Sequence, residues 1–511
     1  WSSDVCSSDL IAYDTETSGL DWRKNHIVGY VVTFSADPRD SYYVPFRHLG
    51  NFNVGGRNGP TTATGWDGTL APGEAELVAA IEGAERIAGP NLAFDLKFSS
   101  RTGMKIKARR YEDTQINAPL INELVGRYSL EACANRHGVQ AKKSAQIVAY
   151  LRSKFPEIKD DKSAMGNFWR LPGNDPVAME YATGDGTTTW QLRDAQMAEI
   201  TKPDKWGDME IPSREKVWDV ESRLLPVLAR MMIRGIKVDL EQFEATCAEV
   251  DQMIEQALNT LPSGFNVRSP KNVREWMEKH GDTDWPMTAA SKTFPDGQPS
   301  FPESWLETKE AGLPIVRVRK FETLRSTFFG PLREHHIWKD NVHVNFNQLR
   351  NDEFGTITGR LSANDPNLQA APKHDYETGK LYRRNFIPHF GRWGENDYSQ
   401  IEPRLLAVYA NVRALKDGYN ANPPVDAHTA VSAAMNKDWD KLDKTGKKQY
   451  RDEYGKRINQ TLITGGGAGV LVKKYKMDES DVREKVVLYF RALPEIKPFQ
   501  KKAEQIGRAH V

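Results

Sequence analysis

Two acids set two residues apart are the first residues in this chain whose types and spacing could do chemistry. Ile11-Ala12-Tyr13-Asp14-Thr15-Glu16 reads as a short strand, and strand residues i and i+2 leave the same face, so the Asp14 and Glu16 carboxylates converge. Side by side they repel unless cations bridge them, which predicts a site for hard divalent ions that take oxygen ligands. Tyr181-Ala182-Thr183-Gly184-Asp185 lies on a predicted helix running on through Thr189, Trp190 and Leu192. There the i,i+4 spacing puts the Tyr181 hydroxyl and the Asp185 carboxylate on one face. Asn91 to Phe98 (NLAFDLKF) adds Asp95 beside an apolar run. A separate constellation, Asp397-Tyr398-Ser399-Gln400-Ile401-Glu402, gathers a metal-capable acid, an amide and a second acid.

Those side chains need elements to hold them. His26 to Phe34, rich in β-branched and aromatic residues, predicts a strand next to the first. Asp113-Thr114 precedes the apolar-periodic Ile116, Leu120, Ile121 and Leu124, a helical pattern. Asp397 follows an apolar or aromatic approach (Phe386, Ile387, Phe390, Trp393) and precedes a helix-period run (Ile401, Leu405, Leu406, Val408), so it is expected at a strand end. Capping the next helix is its simplest role there. Lys202 to Pro212 is polar and Pro-punctuated and predicts a linker. From Val217 the positions Val220, Leu224, Leu225, Val227, Leu228 and Met231 recur at helical spacing, with Gly235 as the C-cap. Ser269 and Pro270 suit the cap and first position of another helix, and Thr283 to Pro302 reads as an exposed loop. Arg317, Arg319, Lys320 and Arg325 form either a solvated face or one that tracks phosphates, and the two readings are equal. Lys456, Gln460 and Ile463 share a face of a helix over Lys456 to Gly465, and Ser480 to Gln505 reads as helical.

At 511 residues the chain has length for roughly three domains at ~150 residues each. With 39% hydrophobic residues and no long uncharged apolar run, it reads as soluble and globular, without a membrane span. The net charge of +1 does not advertise a nucleic-acid partner. A protein that holds phosphates with Lys/Arg and metals with Asp/Glu nevertheless balances near zero. Ile506 to Val511 can be encoded by a stretch whose reverse complement encodes Asp4 to Asp9. Both ends, residues 1–10 and 506–511, therefore read as adapter-derived and are not expected to belong to the fold. That leaves Cys133 and Cys247, far apart and without metal-ligand spacing, which suits a reduced, cytoplasmic setting.

Asp14, Glu16, Asp95 and Asp185 with Tyr181, in that order, resemble the DEDDy 3′–5′ exonucleases. The resemblance implies a ribonuclease H-like α/β domain and a single-stranded DNA 3′ end as substrate. Its four carboxylates would hold two Mg²⁺ or Mn²⁺ ions about 3.5 to 4 Å apart, and Tyr181 would orient the attacking water. The Asp113-Thr114 helix is similar to one these domains carry.

The block at Asp397 resembles motif A of family A DNA polymerases, and further segments follow in the family's order. Thr358-Gly359-Arg360-Leu361-Ser362 and Pro366-Asn367-Leu368-Gln369 are similar to the family's TGRLS and PNLQ stretches, which implies DNA contacts by Arg360 and Gln369. Asp426-Ala427-His428 falls at the family's acid-x-His, and Lys456 to Gly465 resembles motif B. The resemblance implies a right-hand polymerase acting on primer-template DNA and dNTPs with two metal ions, Asp397 binding both. Glu402 would exclude a 2′-hydroxyl, Gln400 would lie near the minor groove, His428 would reach the triphosphate and Lys456 would protonate the leaving pyrophosphate. Where the family has an Arg four residues before that Lys stands Asp452, with Arg451 one position off; Gln460 and Thr464 replace the usual aromatic and Tyr. Arg451 or Lys448 is expected to take over the triphosphate contact.

The expected organisation is an exonuclease domain over 11–200, a linker over 201–213, a thumb-like helical region over 214–335, a partial palm over 336–410 and fingers over 411–505. Motif C is not among these residues, so the resemblance implies a C-terminally truncated fragment, of phage type, that does not polymerise as written. One alternative is a 3′–5′ exonuclease whose polymerase-like half is a non-catalytic DNA-binding scaffold. A non-catalytic binding protein is the other, against which the repelling acids argue.

Overall fold

The computed structural model describes residues 9–140, 144–206, 209–351, 353–372, 376–475 and 477–509. The chain forms two compact units, 1–392 and 393–511.

The first unit opens with a five-stranded sheet in the order β3-β2-β1-β4-β5: β1 Leu10–Thr17, β2 Ile27–Thr33, β3 Ser41–Pro45, β4 Arg86–Gly89 and β5 Arg110–Asp113. The first three strands pair antiparallel, while β1–β4 and β4–β5 are parallel. Parallel neighbours need crossover helices, supplied by α1 (Glu74–Gly83) and α2 (Leu92–Ser100). Leu10, set aside with the N-terminal residues on sequence grounds, pairs with Arg86 as the first residue of β1. Every residue of β2 is buried, as expected of a central strand covered on both faces.

Helices α3 (Thr114–Ile121), α4 (Leu130–Arg136), α5 (Ser144–Lys154), α6 (Asp161–Met165) and α7 (Pro176–Ile200) complete the layers. Ile11, Tyr13, Tyr30, Leu92, Leu96 and Tyr111 form the core on one face. Val31, Tyr43, Ile147, Phe168, Ala178 and Ala182 form it on the other. The alternation Tyr13-Asp14-Thr15-Glu16 therefore sends both acids toward the α7 layer and Thr15 toward the α2 layer.

Residues 204–206 (β6) and 209–211 (β7) pair as a small hairpin where the sequence predicts an irregular linker. Pro203 and Pro212 lie just outside the paired residues, where a missing N–H breaks no ladder bond. α8 (Glu215–Arg234) ends at Gly235, φ 69°, as its spacing predicts. The buried face differs, because the helix carries apolar residues on more than one side. Trp218, Leu225, Leu228 and Met232 face inward, while Val220, Val227 and Met231 are exposed. Leu225 and Ala229 join the core of the preceding sheet.

A second sheet has the order β13-β8-β10-β9: β8 Ile236–Val238, β9 Ile337–Trp338, β10 Asn341–Val342 and β13 Phe386–Ile387. α9 (Leu240–Leu258), α10 (Pro270–Lys279, capped by Ser269), α11 (Glu303–Leu306) and α12 (Leu313–Thr323) precede β9, and α13 spans Tyr376–Arg383. β11 (Asn345–Asn347) and β12 (Ser362–Asn364) form a hairpin. The basic run of α12 and of the π turn that follows it, Leu324–Phe329, is engaged within the unit. Arg317 pairs with Glu377, Lys320 with Glu303 and Glu307, and Arg325 with Asp251, while Arg319 donates to the Val267 and Phe301 carbonyls.

The second unit is helical: α14 Ile401–Tyr409, α15 Arg413–Asn420, α16 Ala427–Met435, α17 Lys444–Tyr450, α18 Lys456–Ile463, α19 Ala468–Tyr475, α20 Glu479–Ala492 and α21 Ile496–Ala509. Its core is Leu406, Val412, Leu415, Val431, Met435, Ile458, Leu462, Val482 and Tyr489. The helical pattern over 480–505 is interrupted at Leu493-Pro494-Glu495, because Pro cannot continue a helix. Asp397 is exposed on irregular backbone, not at a strand end. β13 stops at Ile387, and Pro388, Gly391 and Gly394 follow, none of which favours strand. No described helix is long and apolar enough to cross a membrane.

Candidate functional site

Three of the four acids expected in the first unit come together. Asp14 and Glu16 of β1 and Asp185 of α7 each bring a carboxylate oxygen within 4.8 Å of the others. Glu16 is buried, and Asp14 and Asp185 are half-buried. α7 can approach this closely because Gly186 rests on β2 and β3; a β-carbon there would collide with Thr33 Oγ1 and Ser41 Oγ. The donors are all carboxylate oxygens, a set that suits a hard divalent cation and offers nothing to soft metals.

Asp95 stands outside that group. It comes from the α2 layer, fully buried, and its Oδ1 accepts from the Thr15 backbone N–H at 2.9 Å and the Thr15 hydroxyl at 2.6 Å. Burial, and then the nearby Asp14 carboxylate, push its pKa well up. The carboxylate is thus fixed to β1 one residue from Asp14 and held close enough to feel its charge.

Tyr181 lies one helical turn before Asp185, its ring 6.0 Å from that of Phe168. Burial raises its phenol pKa strongly, and the carboxylates of Glu16, Asp185 and Asp14 raise it further. It therefore keeps its proton and can donate toward the acids. Tyr181 and Asp185 also line a cavity of about 180 Å³ with Ser129, Glu131 and Thr188.

The sequence marks Asp113 only as part of a helix start, but its role is larger. Its carboxylate caps α3 through Gln115 N and Ile116 N, and it also accepts from Asn91 N and Leu92 N at the start of α2. One buried acid thus fixes two helix N-termini, including that of the helix bearing Asp95. Neither this nor the Thr15 clamp has a sequence signal beyond an Asp before a helix and a Thr between two acids.

Arg360 and Gln369 are exposed on the first unit, near β12, with Gln369 Nε2 donating to Leu361 O at 3.3 Å. In the second unit Lys456 and Gln460 share the exposed face of α18, while Ile458, Asn459 and Leu462 are buried. Ile463, expected on the exposed row, packs partly on the core. Glu402 is exposed in the first turn of α14. The Gln400 side chain turns inward, its Oε1 accepting from the Tyr419 hydroxyl and Ala427 N. His428 is buried with Nδ1 at 3.1 Å from Asn459 Nδ2, and burial and then Arg451 lower its pKa.

Residues Arg451–Gly455 form a π turn joining α17 to α18. Its i to i+5 repeat brings Arg451 toward the face of Lys456, the place an i,i+4 pair would take in an ordinary helix. Arg451 donates to Asp426, the cap of α16, at 2.9 Å. Gly455 lets α16 come close, since a β-carbon there would meet Ser432 Oγ and the His428 carbonyl. Asp397 has no comparable cluster of acids among the described residues.

Residues 237–510 match the family model described as DNA polymerase family A. The DNA polymerase DpoZ of Salmonella phage PMBT28 is 28% identical, over 98% of this chain and 79% of its own length. A DNA-directed DNA polymerase of Pseudomonas phage M6 is 30% identical over 83% of this chain and 64% of its own length. For DNA polymerase I of Pseudomonas aeruginosa the figures are 27%, 97% and 50%, so the chain spans half of that relative. Among solved structures, the POL domain of Pol1 from M. smegmatis, in complex with DNA primer-template and dNTP, has a TM-score of 0.67 at 18% identity. The alignment covers 99% of this chain and 77% of that one.

Proposed function

The chain belongs to DNA polymerase family A, and from that premise we propose that it is part of an enzyme of DNA-directed DNA synthesis, without motif C among these residues, and carries a metal-dependent 3′–5′ proofreading exonuclease. The exonuclease rests on one observation, the approach of Asp14, Glu16 and Asp185 to within 4.8 Å. The strand order 3-2-1-4-5 with helices on both faces supports a ribonuclease H-like domain for it.

In this reading Asp14, Glu16 and Asp185 hold Mg²⁺ or Mn²⁺, with Asp95 beside Asp14 completing a site for two ions. Bound ions would activate water and stabilise charge on the scissile phosphate of a DNA 3′ end. Tyr181, kept protonated, orients the water by donating a hydrogen bond. Thr15 and Asp113 fix Asp95 and its helix.

For synthesis, Lys456 and Gln460 face the incoming dNTP, and Arg451 adds positive charge beside His428. Asp397 and Glu402 act at the nucleotide as metal ligand and sugar gate, and Arg360, Gln369 and Gln400 as DNA contacts. Phage and bacterial relatives support a place in bacterial or phage-infected cytoplasm. The bond of Arg451 to Asp426 favours a second reading, a nuclease whose polymerase-like half binds DNA without reaction.

Thermal unfolding with Mn²⁺ tests the metal site. An ion at 100 times its dissociation constant adds about 2.7 kcal/mol of stability. The wild-type melting temperature should rise on adding Mn²⁺ and that of Asp14→Ala should not; equal rises would overturn the assignment.

A further inference from the structure

The helix that carries Asp95 is tied to another element of the same unit. Lys97 of α2 donates from Nζ to Asn345 Oδ1 at 3.0 Å. Asn345 opens β11, which pairs with β12 in the register Asn345↔Asn364 and Asn347↔Ser362. Asn347 Nδ2 crosses to Asn364 Oδ1 at 2.7 Å, stiffening the hairpin. Arg360 lies two residues before β12, and Gln369 folds back onto the same connection at Leu361. A single side-chain hydrogen bond therefore links the Asp95 helix to the hairpin that presents Arg360 and Gln369.

The surroundings make that bond a selective one. The Lys97 ammonium lies among the carboxylates of Asp21, Asp95 and Asp365 and the Arg23 guanidinium, yet its hydrogen bond goes to a neutral amide on the hairpin. Beside it, Phe346 N points at Met232 Sδ of α8, and Gln348 Nε2 donates to Glu221 O at 2.7 Å. A cavity of about 80 Å³ separates Asn91 and Asp113 from Asn347 and Gln348. Ala363 and Phe346 seat the hairpin in the apolar core, and these polar points tie its edge to α2 and α8 beside the gap.

We propose that Lys97 is a positioning residue that couples the exonuclease site to the hairpin: a paired primer end seated against the hairpin is felt at Asp95 through Asn345 and Lys97. This rests on the exonuclease reading above. An unpaired 3′ end does not engage the hairpin and does not need the link. Lys97 has no contact with the reacting atoms in this account and acts through the placement of α2.

The test is hydrolysis of an unpaired DNA 3′ end and of a fully paired primer-template by the wild-type chain, Lys97→Met, Asn345→Ala and the double variant. Each single variant should keep hydrolysis of the unpaired end within about twofold and lower the unpaired-to-paired rate ratio by up to ~10-fold, the size of one charge-assisted hydrogen bond. The double variant should go no further than either single one, because both remove the same link. Equal losses on both substrates, an unchanged ratio, or effects that multiply in the double variant would overturn the coupling. A wild-type chain that leaves every 3′ end intact would instead count against the exonuclease reading. The coupling is then decided by primer-template affinity, where the two substitutions must again be non-additive to support it and additive to refute it.

Discussion

Gly186 of α7 lies against Thr33 of β2 so closely that no β-carbon fits between them. This contact sets how near Asp185, one residue earlier, comes to Asp14 and Glu16. Gly186→Ala should push α7 off the sheet, costing about 1–3 kcal/mol of stability by overpacking. It should also lower exonuclease activity by more than tenfold while leaving all the acids in place. Activity and urea midpoint measured together decide it, and an active, stable Ala variant would show that the close approach is dispensable.

The three clustered carboxylates repel one another when no cation is bound. Asp14→Asn should therefore raise the melting temperature in the presence of a chelator and abolish the gain from Mn²⁺. A lower melting temperature in chelator would mean that Asp14 makes a net stabilising contact instead.

Asp113 caps α3 and receives two further N–H groups from the start of α2. Asp113→Ala leaves four helix-start N–H groups, one of them on the buried Leu92, without their acceptor, and at about 1 kcal/mol for each cap lost the cost should reach roughly 2 kcal/mol or more. Denaturant titration reads the cost directly. A loss below 1 kcal/mol would mean that water or another side chain replaces the carboxylate.

Burial holds His48 neutral, with its pKa down at about 4. Nδ1–H donates to the Leu171 carbonyl at 2.8 Å and Nε2 accepts from the Tyr43 hydroxyl at 2.7 Å. The unfolded chain, titrating near 6.5, binds more protons between pH 6.5 and 4, so stability is lost as pH falls through that window. Asp113, raised to about 6 mainly by burial, works in the opposite sense below pH 6, and the comparison must therefore isolate His48. His48→Gln can still donate to Leu171, and from pH 7 to pH 5 it should lose about 2 kcal/mol less than the wild type does. Parallel pH profiles would contradict a neutral His48.

Arg451 lies one π turn before Lys456, whose backbone N–H donates to its carbonyl, and its side chain pairs with Asp426. If it also meets the triphosphate, Arg451→Ala should weaken dNTP binding about tenfold or more, the worth of a charge-assisted contact. Unchanged dNTP affinity would favour the scaffold reading of the polymerase half.

The acids were legible because their spacing carries geometry: i,i+2 on a strand for Asp14 and Glu16, and i,i+4 on a helix for Tyr181 and Asp185. Their partners were not, because Thr15 meets Asp95 across 80 residues of chain and Gly186 earns its place only against β2. The ion pairs of Arg317 and Arg325, which neither a solvated nor a phosphate-tracking face includes, were hidden because Glu377 and Asp251 lie far off in sequence and close in space. Strand character before Asp397 failed for a local reason, Pro388 and two glycines after a two-residue ladder. The same limit hid the π turn, which a helical period cannot register until the backbone is seen.

If Asp14, Glu16 and Asp185 hold divalent ions that cut a DNA 3′ end, the 511-residue chain should shorten a 5′-labelled single strand from its 3′ end. Nucleotides should be lost stepwise from the 3′ end with Mg²⁺ or Mn²⁺, with no loss in chelator and none with Asp14→Ala. Shortening that persists in Asp14→Ala, or that ignores chelator, would contradict it.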